Sequence, residues 1–288
     1  MKTQPAIAAF LILLTISGSA ISQTKSTEGF LKTSRGLYYK IIVDAKNPKG
    51  QMGDIIKMNL AYLTQKDSTL FSTYDEEMGP VQFTIGPPTF SGDPMEGFAL
   101  LGEGDSAIFL MPADSAYRDQ EMPPFAKPGE FVKIHVNVLS MMTKEEFEKK
   151  KSEEMKSQME KDEVIIENYL STKGLKAQKT ASGLYYIIEK QGDGAKAEAG
   201  KSVTVNYTGK FLDGKPFDSS LNPGRTPFTF KLGAGQVIKG WDEGIALLNV
   251  GGKGTLVIPS PLAYGSRSSG PIPANAVLLF DVELLGVQ

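Results

Sequence analysis

The chain has 288 residues, enough for about two domains of roughly 150 residues each. Apolar residues make up 41% and charged residues 22%, the balance of a folded protein, and the net charge of −2 lacks the basic surplus of a nucleic-acid binder. Zero cysteines exclude disulfides, thiolate metal sites and cysteine nucleophiles, and a single histidine, His135, excludes multi-histidine metal centres and most catalytic triads.

Residues 1–22 read as an export signal. Lys2 gives a positive start, Ala6–Ile16 is an apolar run too short for a membrane span of about 20 residues, and small residues follow. Cleavage after Ser22, or alternatively after Ala20, leaves a chain of net charge −3 (30 − 33), destined for the periplasm or for secretion. No cysteine stands at the junction to carry a lipid anchor, and no later apolar run is long enough to span a membrane.

Residues 23–34 are polar and read as a flexible lead. From Arg35 to Met142 alternating apolar residues predict strands: Gly36–Val43, a strand through Met58, Leu60 and Tyr62, another through Val81, Phe83 and Ile85, then Ala107–Met111 and Phe131–Leu139. His135 falls on the last of these and reads as an ordinary strand residue. Residues 143–180 form a helical linker. Thr143 with Glu146 makes a capping box, 14 of the 21 residues from Thr143 to Glu163 are charged, and the helix ends near Gly174. Its thin apolar seam, Phe147, Met155 and Met159, favours a solvated spacer, with a homodimer arm over 143–170 as the alternative. The strand pattern returns over 181–288, in Gly183–Ile188, through Val203, Val205 and Tyr207, through Phe228, Phe230 and Leu232, then Thr255–Ile258 and Val277–Leu285, with Asp213-Gly214 as a hairpin turn. One short helical stretch interrupts it: Trp241, Ile245 and Leu248 lie on one helical face, and Gly240 suits a close approach at the helix start.

The two β-rich blocks repeat each other. Gly36-Leu37-Tyr38-Tyr39 recurs as Gly183-Leu184-Tyr185-Tyr186, 147 residues on (183 − 36). The same offset links Glu96-Gly97 to Glu243-Gly244, Ala99-Leu100-Leu101 to Ala246-Leu247-Leu248, and Ala116-Tyr117 to Ala263-Tyr264. The copies diverge at Pro94 against Trp241, Ser91 against Ile238 and Val81 against Phe228, and Phe71-Ser72 aligns with Phe217-Asp218.

Val205-Asn206-Tyr207-Thr208-Gly209, Phe217-Asp218-Ser219-Ser220, Val237–Trp241, Ala263-Tyr264-Gly265 and Leu279–Leu285 resemble, in order, the motifs of FKBP-type peptidyl-prolyl cis-trans isomerases. The resemblance covers about 181–288, and reaches 35–142 only through the repeat. It implies an α+β architecture in which each of two domains has an antiparallel sheet of five or six strands curled around a short helix. It implies a rotamase activity on X–Pro bonds of unfolded or partly folded exported proteins, no cofactor, and macrolide inhibitors as further ligands. Carried over by motif, Asp218, Tyr264, Ile238 and Phe217 are the catalytic candidates, and Tyr207, Phe228, Val237, Trp241, Ile272 and Phe280 bind the prolyl group, with Trp241 as the floor. In the family the Ile238 N–H and the Tyr264 hydroxyl hold carbonyls of the bound peptide. Asp218 either polarises the twisting carbonyl or fixes Tyr207. The loop Leu221–Thr226 is longer than in simple family members, and Ser266–Gly270 replaces a loop that often carries a histidine. The first copy keeps Tyr117 and Phe71 but differs at the other compared pocket positions, and is expected to be non-catalytic. A chaperone that holds proline-containing chains with little catalysis is the alternative.

Overall fold

The computed structural model describes residues 27–74 and 78–288, so the export signal expected over residues 1–22 lies outside the described residues. These residues form two compact units divided between Lys149 and Lys150.

In the first unit the elements are β1 (Leu31–Lys32), β2 (Tyr38–Val43), β3 (Ile55–Leu63), β4 (Thr69–Ser72), β5 (Val81–Thr84), α1 (Pro94–Phe98), β6 (Ser106–Pro112), α2 (Ala113–Ala116) and β7 (Phe131–Met142). The strands pair antiparallel in the order β1-β2-β6-β7-β3-β4, with β5 also beside β3. Alternate residues along a strand share a face. Met58 and Leu60 of β3 and Ile134, Val136 and Val138 of β7 therefore enter one core with Phe98 and Leu101. The polar lead ends sooner than its composition indicates, because Leu31 and Lys32 pair with Tyr39 and Tyr38.

Helix α3 (Lys144–Lys173) starts at the capping box: the Glu146 N–H donates to Thr143 Oγ1 at 3.1 Å, and the Thr143 N–H donates to the Glu146 carboxylate at 2.9 Å. It stops at Gly174, whose φ of +65° a side chain would resist. A solvated spacer describes only its first half. Ile166 and Leu170 are buried against Tyr185, Val257, Val277 and Leu279, so the second half covers a face of the second unit.

The second unit continues with β8 (Gln178–Lys179), β9 (Tyr185–Lys190), β10 (Ser202–Lys210), β11 (Pro216–Ser219), β12 (Phe228–Lys231), α4 (Lys239–Ile245), β13 (Lys253–Ile258), a 3-10 turn Ser260–Leu262, and β14 (Leu278–Val287). Its order is β11-β10-β14-β13-β9-β8, with β12 also beside β10. Each sheet has seven strands rather than five or six, because the two-residue β1 and β8 add an edge. Each strand of the second unit begins 147 residues after its counterpart in the first, as Tyr185 follows Tyr38 and Leu278 follows Phe131.

The concave side of the second sheet holds α4. Trp241 and Ile245 on the helix and Leu248 just beyond it are buried among Val203, Val205, Leu256 and Ile258. Burying each such side chain contributes about 1.5–3 kcal/mol. Glycines let the helix settle this close: a Cβ on Gly240 would stand 2.5 Å from Ile258 Cγ2, and one on Gly244 2.5 Å from Leu256 Cδ1.

Candidate functional site

The site is built on four pieces of the second sheet and its helix. Strand β10 supplies Tyr207, whose backbone is locked by Ser220: its N–H donates to Ser220 Oγ at 2.9 Å, and its carbonyl accepts the Ser220 N–H at 3.0 Å. Strand β11 brings Phe217 and Asp218, β12 brings Phe228, and β14 brings Phe280. Helix α4 sets Trp241 at its first turn, directly after Val237 and Ile238. Tyr264 comes from the loop after the 3-10 turn, where the Gly265 N–H donates to the Ser260 carbonyl at 2.8 Å and the Gly265 carbonyl accepts the Asn275 N–H at 2.7 Å.

These side chains enclose a cavity of about 230 Å³ lined by Tyr207, Phe217, Asp218, Phe228, Gln236, Val237, Ile238, Trp241, Tyr264 and Phe280. The aromatic rings meet edge to face, the geometry their quadrupoles favour. Trp241 lies 5.0 Å from Tyr207 at 75° and 5.2 Å from Phe280 at 86°, and Phe217 stands 5.6 Å from Phe280 at 85°. Trp241 is 5% exposed, and its Nε1 is the one buried side-chain polar atom without a hydrogen-bond partner among the described residues. A buried donor left unpaired costs about 1–3 kcal/mol.

Polar groups sit at the rim. The Tyr207 hydroxyl donates to Asp218 Oδ2 at 2.5 Å, and Arg225 donates to Asp218 Oδ1 at 3.0 Å, so both carboxylate oxygens are engaged. Burial, reinforced by the Asp218 carboxylate, pushes the Tyr207 phenol above its ordinary range, while Arg225 opposes the shift. The phenol therefore stays protonated and remains a donor at neutral pH. Neither the Ile238 N–H nor the Tyr264 hydroxyl has an acceptor among the described residues, which leaves both free to donate to a ligand.

Nine of the ten residues named from sequence line this one cavity. Ile272 does not: it is buried at 5% exposure in the core behind the cavity. Two residues escaped sequence reasoning. Gln236 precedes Val237 on the lining, and Arg225 reaches Asp218 from the loop that follows β11.

The first unit has the same frame with other side chains at most of the cavity positions. Thr73 locks Leu60 as Ser220 locks Tyr207, with Thr73 Oγ1 accepting the Leu60 N–H at 2.8 Å. The strand register corrects one pairing made from sequence. Tyr62 faces Phe71 where Gly209 faces Asp218, so Phe71 occupies the place of Asp218, and Ser72 that of Ser219. Both hairpins carry a bulge at the same place, between Tyr62 and Leu63 and between Gly209 and Lys210, so the offset of 147 holds through it. Lys133 replaces Phe280 and is bonded to Asp67 at 2.6 Å, and Pro94 replaces Trp241. Gly209 leaves room for rings that its own Cβ would approach to 2.7 Å; the first unit has Tyr62 there, packed edge-on to Phe71.

A family profile, FKBP-type peptidyl-prolyl cis-trans isomerase, matches residues 193–285, the stretch that carries this cavity. An FKBP-type peptidyl-prolyl cis-trans isomerase FkpA of Aeromonas hydrophila is 46% identical over 150 residues, covering 50% of this chain and 55% of that protein. FK506-binding protein 2 of Dictyostelium discoideum is 50% identical over 94 residues, covering 32% of this chain and 70% of that protein. The crystal structure of FkpA from Escherichia coli shares 33% identity with a TM-score of 0.41, over 52% of this chain and 75% of that one. The match thus spans about half the length of the Aeromonas protein.

Proposed function

Because this chain belongs to the FKBP-type peptidyl-prolyl cis-trans isomerase family, we propose that its second unit rotates X–Pro bonds in other polypeptides and that its first unit does not. The observation that carries the proposal is the aromatic cavity of about 230 Å³, floored by Trp241 and rimmed by free donors.

An X–Pro bond resists rotation by about 18–20 kcal/mol because amide resonance gives it double-bond character. Rotation breaks no covalent bond and moves no proton off carbon, so it needs no nucleophile. A dry cavity that accepts the prolyl ring strips water from the planar amide, whose polar carbonyl gains most from it. The twisted amide has lost that resonance and is held by fixed groups instead. In this assignment the Ile238 N–H and Tyr264 hydroxyl hold the peptide on either side of the ring. Asp218, with both oxygens occupied, acts through Tyr207 by fixing its ring, rather than by touching the twisting carbonyl. A reduction of about 5 kcal/mol in the barrier accelerates exchange a few thousandfold.

The first unit has Leu60, Leu70, Phe71, Val81, Pro94 and Lys133 in place of the cavity side chains, which supports a non-catalytic role. Residues 1–22 serve as an export signal in this reading, so the clients are exported proteins folding in the periplasm or outside the cell. Mass spectrometry of the mature chain recovered from its producing cells should find Gln23 or Ile21 first.

Exchange NMR on a short proline peptide tests the catalytic assignment in the full chain. Trp241→Ala and Phe217→Ala should each lower kcat/KM at least tenfold, and the double variant should abolish acceleration. Parent-like rates in both single variants would sink the site; substantial rates in the folded double variant would show that the first unit catalyses.

A further inference from the structure

A second cavity, of about 650 Å³, lies within the second unit between helix α3 and the rim of the aromatic cavity. The helix wall carries Lys151, Met155, Gln158 and Lys161; the opposite wall carries Lys239 and Gly265. Lys239 directly follows Ile238, and Gly265 directly follows Tyr264, so the two cavities adjoin along the residues that would hold the substrate backbone. Met155 is half exposed, an apolar side chain on an otherwise charged stretch of helix.

This wall is fixed by a buried anchor. Asp162, 0% exposed, accepts the Ser260 N–H at 2.6 Å and the Ser260 hydroxyl at 2.7 Å, and Gln158 donates to its other oxygen at 2.7 Å. Ser260 begins the turn that delivers Tyr264. A carboxylate buried this deeply is stabilising only when fully hydrogen-bonded, so the contact holds α3 and the Tyr264 loop at one spacing. The helix is thereby fixed beside the loop that carries Tyr264.

We infer that this groove takes the residues flanking the proline in the same client polypeptide, and that it favours acidic ones. The inference rests on the isomerase reading for the identity of the ligand. Its charge preference comes from the lining. The lining holds three lysines, Lys151, Lys161 and Lys239, against two glutamates, Glu153 and Glu154, and none of the three lysines has a carboxylate within ion-pair distance among the described residues. A cationic surplus facing an extended chain selects for carboxylates, and more weakly at high salt.

The test uses the full chain and two ten-residue peptides with one central Ala-Pro, flanked on both sides by Glu in one and by Lys in the other. Affinity is read from Trp241 fluorescence and catalysis from exchange NMR. The Glu peptide should bind about threefold or more tighter than the Lys peptide, and Lys161→Glu, on an exposed helix position, should shrink that ratio about threefold. Equal binding of the two peptides by the parent, or a ratio that survives Lys161→Glu and 1 M salt undiminished, overturns the inference. Charge-selective binding without accelerated exchange would uphold the groove and remove the isomerase reading; accelerated exchange without charge selection would do the reverse.

Discussion

Gly209→Ala is the sharpest single perturbation of the aromatic cavity. A Cβ at this position would stand 2.7 Å from Phe217 Cε2 and Cζ and 2.7 Å from Phe280 Cε1, whereas carbon atoms rest at about 3.5–4.0 Å. The rings must therefore retreat by about 1 Å. Phe280 is 4% exposed and boxed in by Trp241 and Tyr207, so it has nowhere to go. Phe217, half-buried at the wall, gives way and closes on the space meant for the prolyl ring. Overpacking of this kind costs about 1–3 kcal/mol. Spent on substrate affinity, that is a rise in KM of about 5- to 150-fold, with kcat less affected. Exchange NMR at several peptide concentrations separates the two constants, and denaturant melts followed by Trp241 fluorescence report whether the second unit stays folded. A folded Gly209→Ala protein with kcat/KM within twofold of the parent would refute the claim that this glycine keeps the cavity open.

Three further outcomes follow from the same geometry. Asp162→Ala leaves the buried Ser260 N–H and hydroxyl without their acceptor and should destabilise the second unit by about 2–4 kcal/mol, read from Trp241 fluorescence melts. Tyr207 has its ionisation raised above 10.0 by burial and by Asp218, so its contribution to stability is complete below pH 10 and is lost as pH climbs through the raised folded value; Asp218→Ala should make this alkaline loss smaller in melts taken between pH 8 and 12. Burial of Asp105 in the first unit would raise its pKa, but Lys49 and the N–H groups of Gly102 and Ala45 together hold it below 3.8. Its contribution is therefore present above pH 3.8 and is lost as pH falls through the lowered value, so Asp105→Asn should flatten the acid limb of circular-dichroism melts for the first unit while the Trp241 signal of the second is unaffected.

Sequence reasoning located the long strands because they alternate over six or more residues, and it located the cavity because its residues sit in short ordered motifs. It failed where the deciding contact joins distant segments. Leu31–Lys32 and Gln178–Lys179 are too short to show any period, and only pairing reveals them as strands. The anchoring of α3 did leave a trace. Gln158, Asp162, Ile166 and Leu170 are spaced by four and share one helical face, but a carboxylate on that face reads as solvated until Ser260 is brought to it. Arg225 was masked in the same way, since nothing in a loop sequence says which carboxylate its side chain will meet. The misplaced pairing of Ser72 with Asp218 came from matching Phe71 to Phe217 as identical letters, a one-residue departure from the offset of 147 that the strand register keeps.

The unbroken spacing of 147 residues between every pair of matching strands means that the two halves differ by side chains and not by chain length. Loops of equal length return each substituted position to its own place in the sheet. Two versions of one frame, one with the side chains of the aromatic cavity and one with others in their places, therefore coexist in one polypeptide as a natural double of the kind a protein engineer would otherwise have to build. Moving Gly, Phe, Asp and Trp into places now held by Tyr62, Leu70, Phe71 and Pro94 requires no loop surgery, and whichever substitution first admits a proline marks the step at which a folded scaffold becomes a binding site.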